Sequence, residues 1–264
     1  METEYATRLA ACYTVYNGIE LLEDSINSIK NNVDEIIIAY QTTSNYGEIN
    51  NDFLEWKEKN KEYHYVFFNP SFLGRKDNAK FNEANKHQLL IQKARKLKCT
   101  HWFLSATDHL YKHDEVEYVK KEIKKNNYKT TFTKLKTYFK ENYYCLQPLE
   151  HYYMPFICST DVNIKYCGWS PVKVDAAIKF DKKYTYKCFS EEEILMHHYS
   201  YLRYDIENKL KNAAAKRNWE NKIPYIIDQF NNFKEGDKFF IYNKYDIVKC
   251  KPEFSLENYY KNKC

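Results

Sequence analysis

Glycine is scarce in this sequence, with only 5 glycines and 6 prolines in 264 residues. No GxGxxG or GxxxxGKS/T pattern is present, and these glycine-rich loops are the backbone cradles for dinucleotides and nucleotide phosphates. The scarcity therefore disfavours dinucleotide-dependent oxidoreductases and P-loop nucleotide hydrolases. Any phosphate group would have to be bound mainly by side chains.

Long apolar runs and paired cysteines are also missing. The longest apolar runs span a few residues, as in 36–39, so no membrane-spanning helix is predicted. The 8 cysteines form no CxxC pair, which argues against a structural zinc site. The N-terminus has no basic segment followed by an apolar one, so no signal peptide is predicted. We expect a cytoplasmic protein with reduced thiols.

Clustered positive charge is absent too, although the formal net charge is +5. The lysines are interleaved with acids, as in 57-KEKNKE-62, and only five of the 41 basic residues are arginines. This pattern favours a solvated surface over a nucleic-acid interface. Lys, Asn, Tyr, Phe and Ile are specified by A/T-rich codons, so the skew suggests an A/T-rich bacterium or a large virus.

Apolar segments of the first half alternate between strand and helix patterns. Strands are predicted at 9–15, 35–40, 63–68 and 100–104, and helices near 19–29, 53–56, 89–97 and 113–125. This alternation predicts an α/β fold, with a mostly parallel central sheet and helices on both faces. Ligands of such sheets bind beyond the carboxyl ends of the strands.

The second half is less regular. It is predicted to continue with a strand at 130–139, short extended pieces to residue 200, helices interrupted near Pro224, and a hairpin at 238–249. We expect one domain over 1–215, with halves at 1–112 and 113–215. A small helical and β extension at 216–264 is expected to pack on that domain.

Asp108 and a pair of histidines are the first candidate site residues. Asp108 directly follows a predicted strand, where a carboxylate either binds Mg²⁺ or Mn²⁺ or caps the next helix. Neighbouring His197 and His198 point to opposite faces of a strand, so at most one can face a site. A neutral imidazole suits Mn²⁺, although a lone buried histidine is more often structural.

Two further segments are weaker signals when taken alone. Tyr16, Asn17 and Gly18 form a tight turn after the first strand, where a nucleotide base or ribose could bind. Lys86 lies in a basic segment at the start of a helix, where positive charge suits phosphate. The alternative for this segment is a solvated lysine-rich loop.

The order of these segments resembles the family-2-like glycosyltransferases with the GT-A fold. The residues that carry the resemblance are 16-YNG-18, 34-DEIIIAYQ-41, 99-CTHWFLSATDHLY-111, 148-PLEHYYMPFI-157 and 197-HHYSYLR-203. It extends over roughly residues 8–215. It implies a GT-A-like fold and the use of a nucleotide-sugar donor of the UDP, GDP or dTDP type.

The resemblance also implies roles for single residues. Asp108 matches the last Asp of the Asp-x-Asp metal motif, and His198 matches a late histidine of the metal or diphosphate site. Ala106 replaces the first Asp, which weakens the expected Mn²⁺ or Mg²⁺ site, and His109 is a further candidate ligand. The residues implied in nucleotide-sugar binding are Tyr13, Tyr16, Asn17, Gln41, Lys86, Thr107 and Asp108.

The implied reaction transfers a sugar to a hydroxyl group of a carbohydrate or glycoconjugate acceptor, with inversion at the anomeric carbon. Inversion needs a general base on the acceptor side. Asp175, Glu150 and Glu192 are the candidates, and each could equally be a surface carboxylate. Three alternatives remain open: a nucleotidyltransferase, a degenerate non-catalytic nucleotide-sugar binder, and a nucleic-acid binder, which the scattered charge disfavours.

Overall fold

The computed structural model describes residues 7–72, 78–174, 178–239 and 244–263. Its helices, in chain order, are α1 (Leu22–Ile29), α2 (Asp52–Lys59), α3 (Asn78–Lys96), α4 (His113–Asn126), α5 (Ile206–Asn212), α6 (Ile223–Asn232) and α7 (Glu257–Asn262). Its strands are β1 (Leu9–Val15), β2 (Glu35–Tyr40), β3 (His64–Phe67), β4 (His101–Ala106), β5 (His109–Leu110), β6 (Thr130–Phe139), β7 (Glu141–Gln147), β8 (Met154–Ser159), β9 (Ile164–Lys165), β10 (Lys179–Phe180), β11 (Tyr186–Cys188), β12 (Leu195–Tyr201) and β13 (Asp246–Lys249).

One large sheet organises the molecule. Its main path runs in the order β13-β7-β6-β8-β4-β1-β2-β3, with β11, β12 and β5 attached beside it. The first-half strands β3, β2, β1 and β4 are all parallel. The second half is mixed, because β7 and β8 run antiparallel to β6 whereas β11 and β12 run parallel to it. The predicted α/β fold class is confirmed.

Strand β1 shows why the first half could be predicted. All of its residues except Thr14 are buried, so side chains on both of its faces are covered. A parallel strand covered on both faces has a nearly continuous apolar sequence, and LAACYTV has this character. Helix α3 packs against β1 and β2, and α1 buries Leu22, Ile26 and Ile29.

The region around Pro224 differs in detail from the predicted interrupted helix. Helix α5 ends at Asn212, and short 3-10 turns at Lys216–Asn218 and Glu220–Lys222 lead to α6. Pro224 lies in the first turn of α6 rather than at the interruption. Proline is tolerated there because the first turn of a helix needs no backbone N–H donor.

The C-terminal segments are joined closely to the rest of the fold. Strand β13 pairs antiparallel with β7, and Lys238 pairs with Asp246 near the predicted hairpin. Helix α7 lies against α1, where the Asp24 carboxylate accepts hydrogen bonds from the backbone N–H groups of Asn258 and Tyr259, at 3.2 and 2.9 Å. Among the described residues, no helix is both long and apolar enough to cross a membrane.

Candidate functional site

The candidate site is a cleft of about 690 Å³ beyond the carboxyl ends of the parallel strands. Because β1 lies between β2 and β4, the segments that follow these three strands are neighbours. The predicted residues that line the cleft are Tyr16, Asn17, Gln41, Lys86, Thr107, Asp108, Glu150 and His198. The sheet therefore brings most of the predicted site together.

Three predicted residues are placed differently. Tyr13 is fully buried in β1, where its hydroxyl accepts a hydrogen bond from Ser25 at 3.3 Å, and it does not line the cleft. Glu192 is exposed in the turn before β12, away from the lining residues. His109 is not among the residues that line the cleft. Asp175 lies outside the described residues.

The carboxylate of Asp108 is the buried anion of the site, with 5% of the residue exposed. The Arg203 guanidinium donates a hydrogen bond to its Oδ2, and Lys209 Nζ lies 3.4 Å from the same atom. Burial alone would raise the pKa of Asp108, but the charges of Arg203 and Lys209 and the nearby histidines lower it well below its ordinary value. Asp108 is therefore ionised at neutral pH.

Two neutral imidazoles complete this cluster. His109 Nε2 lies 3.7 Å from Asp108 Oδ1, and His198 Nε2 lies 3.9 Å from Oδ2. The antiparallel pairing of β5 and β12 places the two histidines opposite each other. Burial is the main cause that lowers the pKa of His109 to about 4 and that of His198 to about 3. His197 instead contacts the hydroxyl of Tyr138, at 2.9 Å.

Asp108, His109 and His198 could hold a metal ion, because one ligand atom from each lies within 4.8 Å of the others. The ring nitrogens nearest the Asp108 carboxylate are the Nε2 atoms of His109 and His198. One carboxylate and two neutral imidazoles suit a borderline ion such as Mn²⁺ better than Mg²⁺, which prefers oxygen ligands.

Arg203 and Lys209 are site residues that sequence reasoning did not assign. Arg203 is buried and also lies 3.7 Å from Glu20, so it links two carboxylates. Gly18 makes this position possible, because a Cβ there would overlap the guanidinium and lie 2.8 Å from Thr107 Oγ1. Gly18 also has φ 82°, which favours glycine. Arginine is scarce in this sequence, and this scarcity is the one sequence feature that distinguishes Arg203. No sequence feature distinguishes Lys209 from the other lysines.

Lys86 is held by a close acidic partner. Its Nζ lies 2.6 Å from Oε1 of Glu83, one helical turn earlier, and Glu83 also accepts a hydrogen bond from Asn45 at 3.1 Å. Burial raises the pKa of Glu83, but the charge and hydrogen bond of Lys86, with smaller contributions from His87 and Asn45, together lower it below its ordinary value. The pair therefore presents one fixed cation and one fixed anion to the cleft.

Glu150 is linked through the Thr137 hydroxyl to His198, one of the three residues that could hold a metal ion. The Thr137 hydroxyl donates a hydrogen bond to Glu150 Oε1, and His198 Nδ1 lies 3.4 Å from the same hydroxyl. Glu150 is buried, with 6% of the residue exposed. Among the described candidates for a general base, Glu150 lines the cleft and Glu192 does not.

Comparisons with known proteins give distant likenesses in structure alone. No protein-family model matches the chain, and no curated protein is significantly similar in sequence. Residues 1–349 of TarS from S. aureus are 12% identical, with 86% of this chain and 72% of that chain covered and a TM-score of 0.43.

Two other solved structures are less similar. TarS 1–349 in complex with UDP-GlcNAc is 12% identical and covers 80% of this chain and 70% of its own, with a TM-score of 0.39. Mannose-1-phosphate geranyltransferase from Thermus thermophilus is 12% identical, with 58% and 50% covered and a TM-score of 0.32. At these values no family is defined for this chain, and its function has to be argued from its own site.

Proposed function

We propose that the chain is a glycosyltransferase that moves a sugar from a nucleoside-diphosphate sugar to a hydroxyl group of an acceptor. The observation that carries the proposal is the charged cluster of Asp108, Arg203 and Lys209 beyond the ends of β1 and β4. A cleft at this edge of a parallel sheet is the common ligand position of α/β folds. Asp108 and Arg203 lie in two of the segments, 99–111 and 197–203, that resemble family-2-like glycosyltransferases.

The cations of the cluster suit the leaving group of this reaction. Transfer of the sugar leaves a nucleoside diphosphate, so negative charge develops on the diphosphate oxygens in the transition state. Arg203 and Lys209 line the cleft and already carry fixed positive charge in a buried setting. Preorganised charge of this kind stabilises a transition state without reorganisation at the moment of reaction.

Gln41 supports a role in holding the nucleoside. Its Nε2 donates a hydrogen bond to the Thr43 carbonyl at 2.7 Å. Its Oε1 is buried, and the described residues supply no donor for it. A buried acceptor without a partner is costly, so it suits an N–H or O–H donor of a bound base or ribose. Tyr16 and Asn17 line the same part of the cleft.

The metal part of the proposal is a Mn²⁺ site at Asp108, His109 and His198. When bound, the ion would offset charge on the diphosphate. Arg203 and Lys209 supply positive charge at the same carboxylate, so we propose that the ion assists the reaction rather than providing all of its electrostatic stabilisation. Thr107, which follows β4 directly, lies beside this cluster and is proposed to contact the donor.

Glu150 is the proposed general base. It would accept the proton of the acceptor hydroxyl as the oxygen attacks the anomeric carbon, and the diphosphate would leave from the opposite face with inversion. The hydrogen bond from Thr137 orients its carboxylate. Asp175 remains a second candidate from the sequence.

Nucleotide binding tests the proposal directly. UDP, GDP, dTDP and CDP would each be added at millimolar concentration, with and without Mn²⁺, while the melting temperature is followed. A ligand of the native state raises that temperature by linkage. We expect one nucleotide to do so, and expect Asp108→Asn to reduce the Mn²⁺-dependent part. Absence of any shift in the wild-type protein would refute the proposal.

A non-catalytic nucleotide-sugar binder is the second candidate. Ala106 removes one carboxylate of the implied motif, and Arg203 and Lys209 already neutralise the one that remains. Donor hydrolysis separates the two functions. An enzyme releases the nucleoside diphosphate from its donor and loses this activity in Glu150→Gln, whereas a binder shifts the melting temperature without any turnover.

A further inference from the structure

A cluster of basic side chains lies around His151 in the cleft. Lys244 Nζ lies 2.9 Å from His151 Nδ1, and Lys173 Nζ is in contact with Nε2 on the other side of the ring. The Tyr245 hydroxyl lies 2.7 Å from Nδ1. His151, Lys173 and Lys244 all line the cleft that contains Asp108. We call these three residues the basic cluster.

The backbone assembles this cluster from three distant segments. Tyr153 forms a bridge with Val174, and its N–H donates to the Lys173 carbonyl at 2.8 Å, which places Lys173 beside His151. Strand β13 runs beside β7, so the residues just before it lie near those just after β7. Main-chain pairing therefore brings the three residues of the cluster close together.

The hydrogen-bonding capacity of the cluster is not balanced. A neutral imidazole has one acceptor nitrogen, so it can accept from at most one of the two ammonium groups. Lys173, Lys244 and His151 are all exposed. Within the described parts of the chain, neither lysine forms an ion pair with a carboxylate, whereas the half-buried Lys129 pairs with Asp161 at 3.0 Å. The cluster thus presents excess positive charge and spare N–H donors.

The positive charge of the two lysines favours the neutral form of His151. Partial burial and then the charges of Lys244, Lys173 and Lys134 lower the pKa of His151. An anion bound between the lysines would supply the missing acceptors and offset the repulsion. Phosphate and carboxylate oxygens are the usual acceptors for such groups.

We propose that Lys173, His151 and Lys244 form a subsite for an oxyanion group, a phosphate or a carboxylate, carried by the acceptor. This inference rests on the proposed function, because it places the anion next to Glu150, the proposed base. The acceptor hydroxyl would lie at Glu150, and the oxyanion would lie at the basic cluster around His151, the next residue in the sequence. The acceptor is then an anionic molecule rather than a neutral sugar.

A series of side-chain contacts leads from the charged cluster of Asp108, Arg203 and Lys209, where the donor is proposed to bind, to the proposed subsite. Asp108 contacts His198, His198 contacts Thr137, and Thr137 donates to Glu150, which precedes His151. A nucleoside diphosphate at Arg203 and Lys209 and an oxyanion at the basic cluster would thus flank the proposed base from two sides.

The test measures binding of inorganic phosphate and of acetate to the full chain by calorimetry. The variants are the double substitution Lys173→Gln with Lys244→Gln, and the control Lys129→Gln, whose lysine lies outside the cleft lining. We expect the double variant to weaken binding of the preferred anion by about tenfold or more, because charge-assisted hydrogen bonds are lost. The control should bind as the wild type does. Preference for phosphate or for acetate identifies the oxyanion.

Nucleotide binding by the same variants separates this inference from the proposed function. We expect the nucleoside diphosphate to raise the melting temperature of the double variant as much as that of the wild type. Unchanged anion affinity in the double variant would overturn the subsite, as would equal loss of anion and nucleotide binding, which would assign the cluster to the donor. If the anion binds at the cluster but no nucleotide binds anywhere, the subsite stands and the proposed function fails.

Discussion

The Arg203 guanidinium donates a hydrogen bond to the Asp108 carboxylate from a position 95 residues later in the chain, and both side chains are buried. The carboxylate that the sequence assigns to a metal is therefore already neutralised by the protein. A buried pair of this kind is costly to break, because removal of one partner leaves the other charge without compensation.

Arg203→Met should destabilise the protein by about 3–5 kcal/mol, since Asp108 and Glu20 both lose a cation. The double variant with Asp108→Asn should be less destabilised than the sum of the two single variants. Urea unfolding measures all three free energies. Lys129→Met, which breaks the exposed pair with Asp161, is the control and should cost about 1 kcal/mol or less. Additive single effects would contradict a coupled pair.

Gly18→Ala should destabilise the protein and disturb the Arg203 contact, because the new methyl group would overlap the guanidinium. Gly47→Ala is a matched control, since Gly47 has φ 93° and nothing lies within 4 Å of its Cβ position. Both variants carry the left-handed strain of about 1–2 kcal/mol. The excess loss in Gly18→Ala, measured by thermal unfolding, reports the overlap. Equal losses would mean that the guanidinium moves freely.

Stability should fall as the pH decreases from about 6.5 towards 4 because of buried neutral histidines. Burial lowers the pKa of His87 to about 4, and burial followed by the charge of Lys129 lowers that of His101 to about 4. The unfolded chain, with histidine pKa near 6.5, binds more protons in this window, so unfolding becomes easier. Each histidine contributes up to about 1.4 kcal/mol per pH unit.

Urea unfolding across this pH range checks the expectation. His87→Leu and His101→Phe should each flatten the pH dependence of the free energy of unfolding. Asp108 acts in a lower window, because its lowered pKa gives stability that is lost only as the pH falls below about 4. A wild-type stability that does not change between pH 6.5 and 4.5 would mean that these histidines take up protons equally in the folded and unfolded states, which would contradict their lowered pKa values.

Glu150→Gln should lower kcat by about 10²–10⁴-fold, because the acceptor hydroxyl loses its base, while the nucleotide-induced shift of melting temperature persists. Thr137→Val should move the acidic limb of the pH–rate profile to higher pH, since a hydrogen bond to a carboxylate favours its charged form. Thr131→Val, whose hydroxyl donates to the Ile157 carbonyl at 2.8 Å, is the control and should leave that limb in place. Full activity of Glu150→Gln would remove Glu150 as the base.

The sequence allows the first half of the fold and two carboxylates of the candidate site to be predicted. Residues 9–15, 35–40 and 130–139 are predicted as strands and match β1, β2 and β6, because buried strands leave an apolar pattern. Asp108 and Glu150 are recognised by their position after a strand or within a resembling segment. These features are local along the chain.

The remaining features depend on which distant residues meet. The pairing of Arg203 and Lys209 with Asp108 joins positions about a hundred residues apart, and no local pattern encodes it. The resemblance places Tyr13 in the nucleotide pocket, but Tyr13 lies within a buried strand, where its ring fills the interior. The lysines of the basic cluster stand in sequence contexts like those of the other surface lysines, so no local pattern indicates the cluster.

The contact between Asp24 and Tyr259 has a consequence for biosynthesis. The Asp24 carboxylate accepts from a backbone N–H that is 235 residues later in the chain. During translation, helix α1 therefore remains without this partner until the ribosome has passed Tyr259 and that residue has left the exit tunnel. Contacts across so long a stretch of chain form late and slow the completion of folding. The proposed donor site includes Tyr16 and Asn17, which precede α1 by only a few residues. It is consequently expected to reach its final shape among the last parts of the newly made protein.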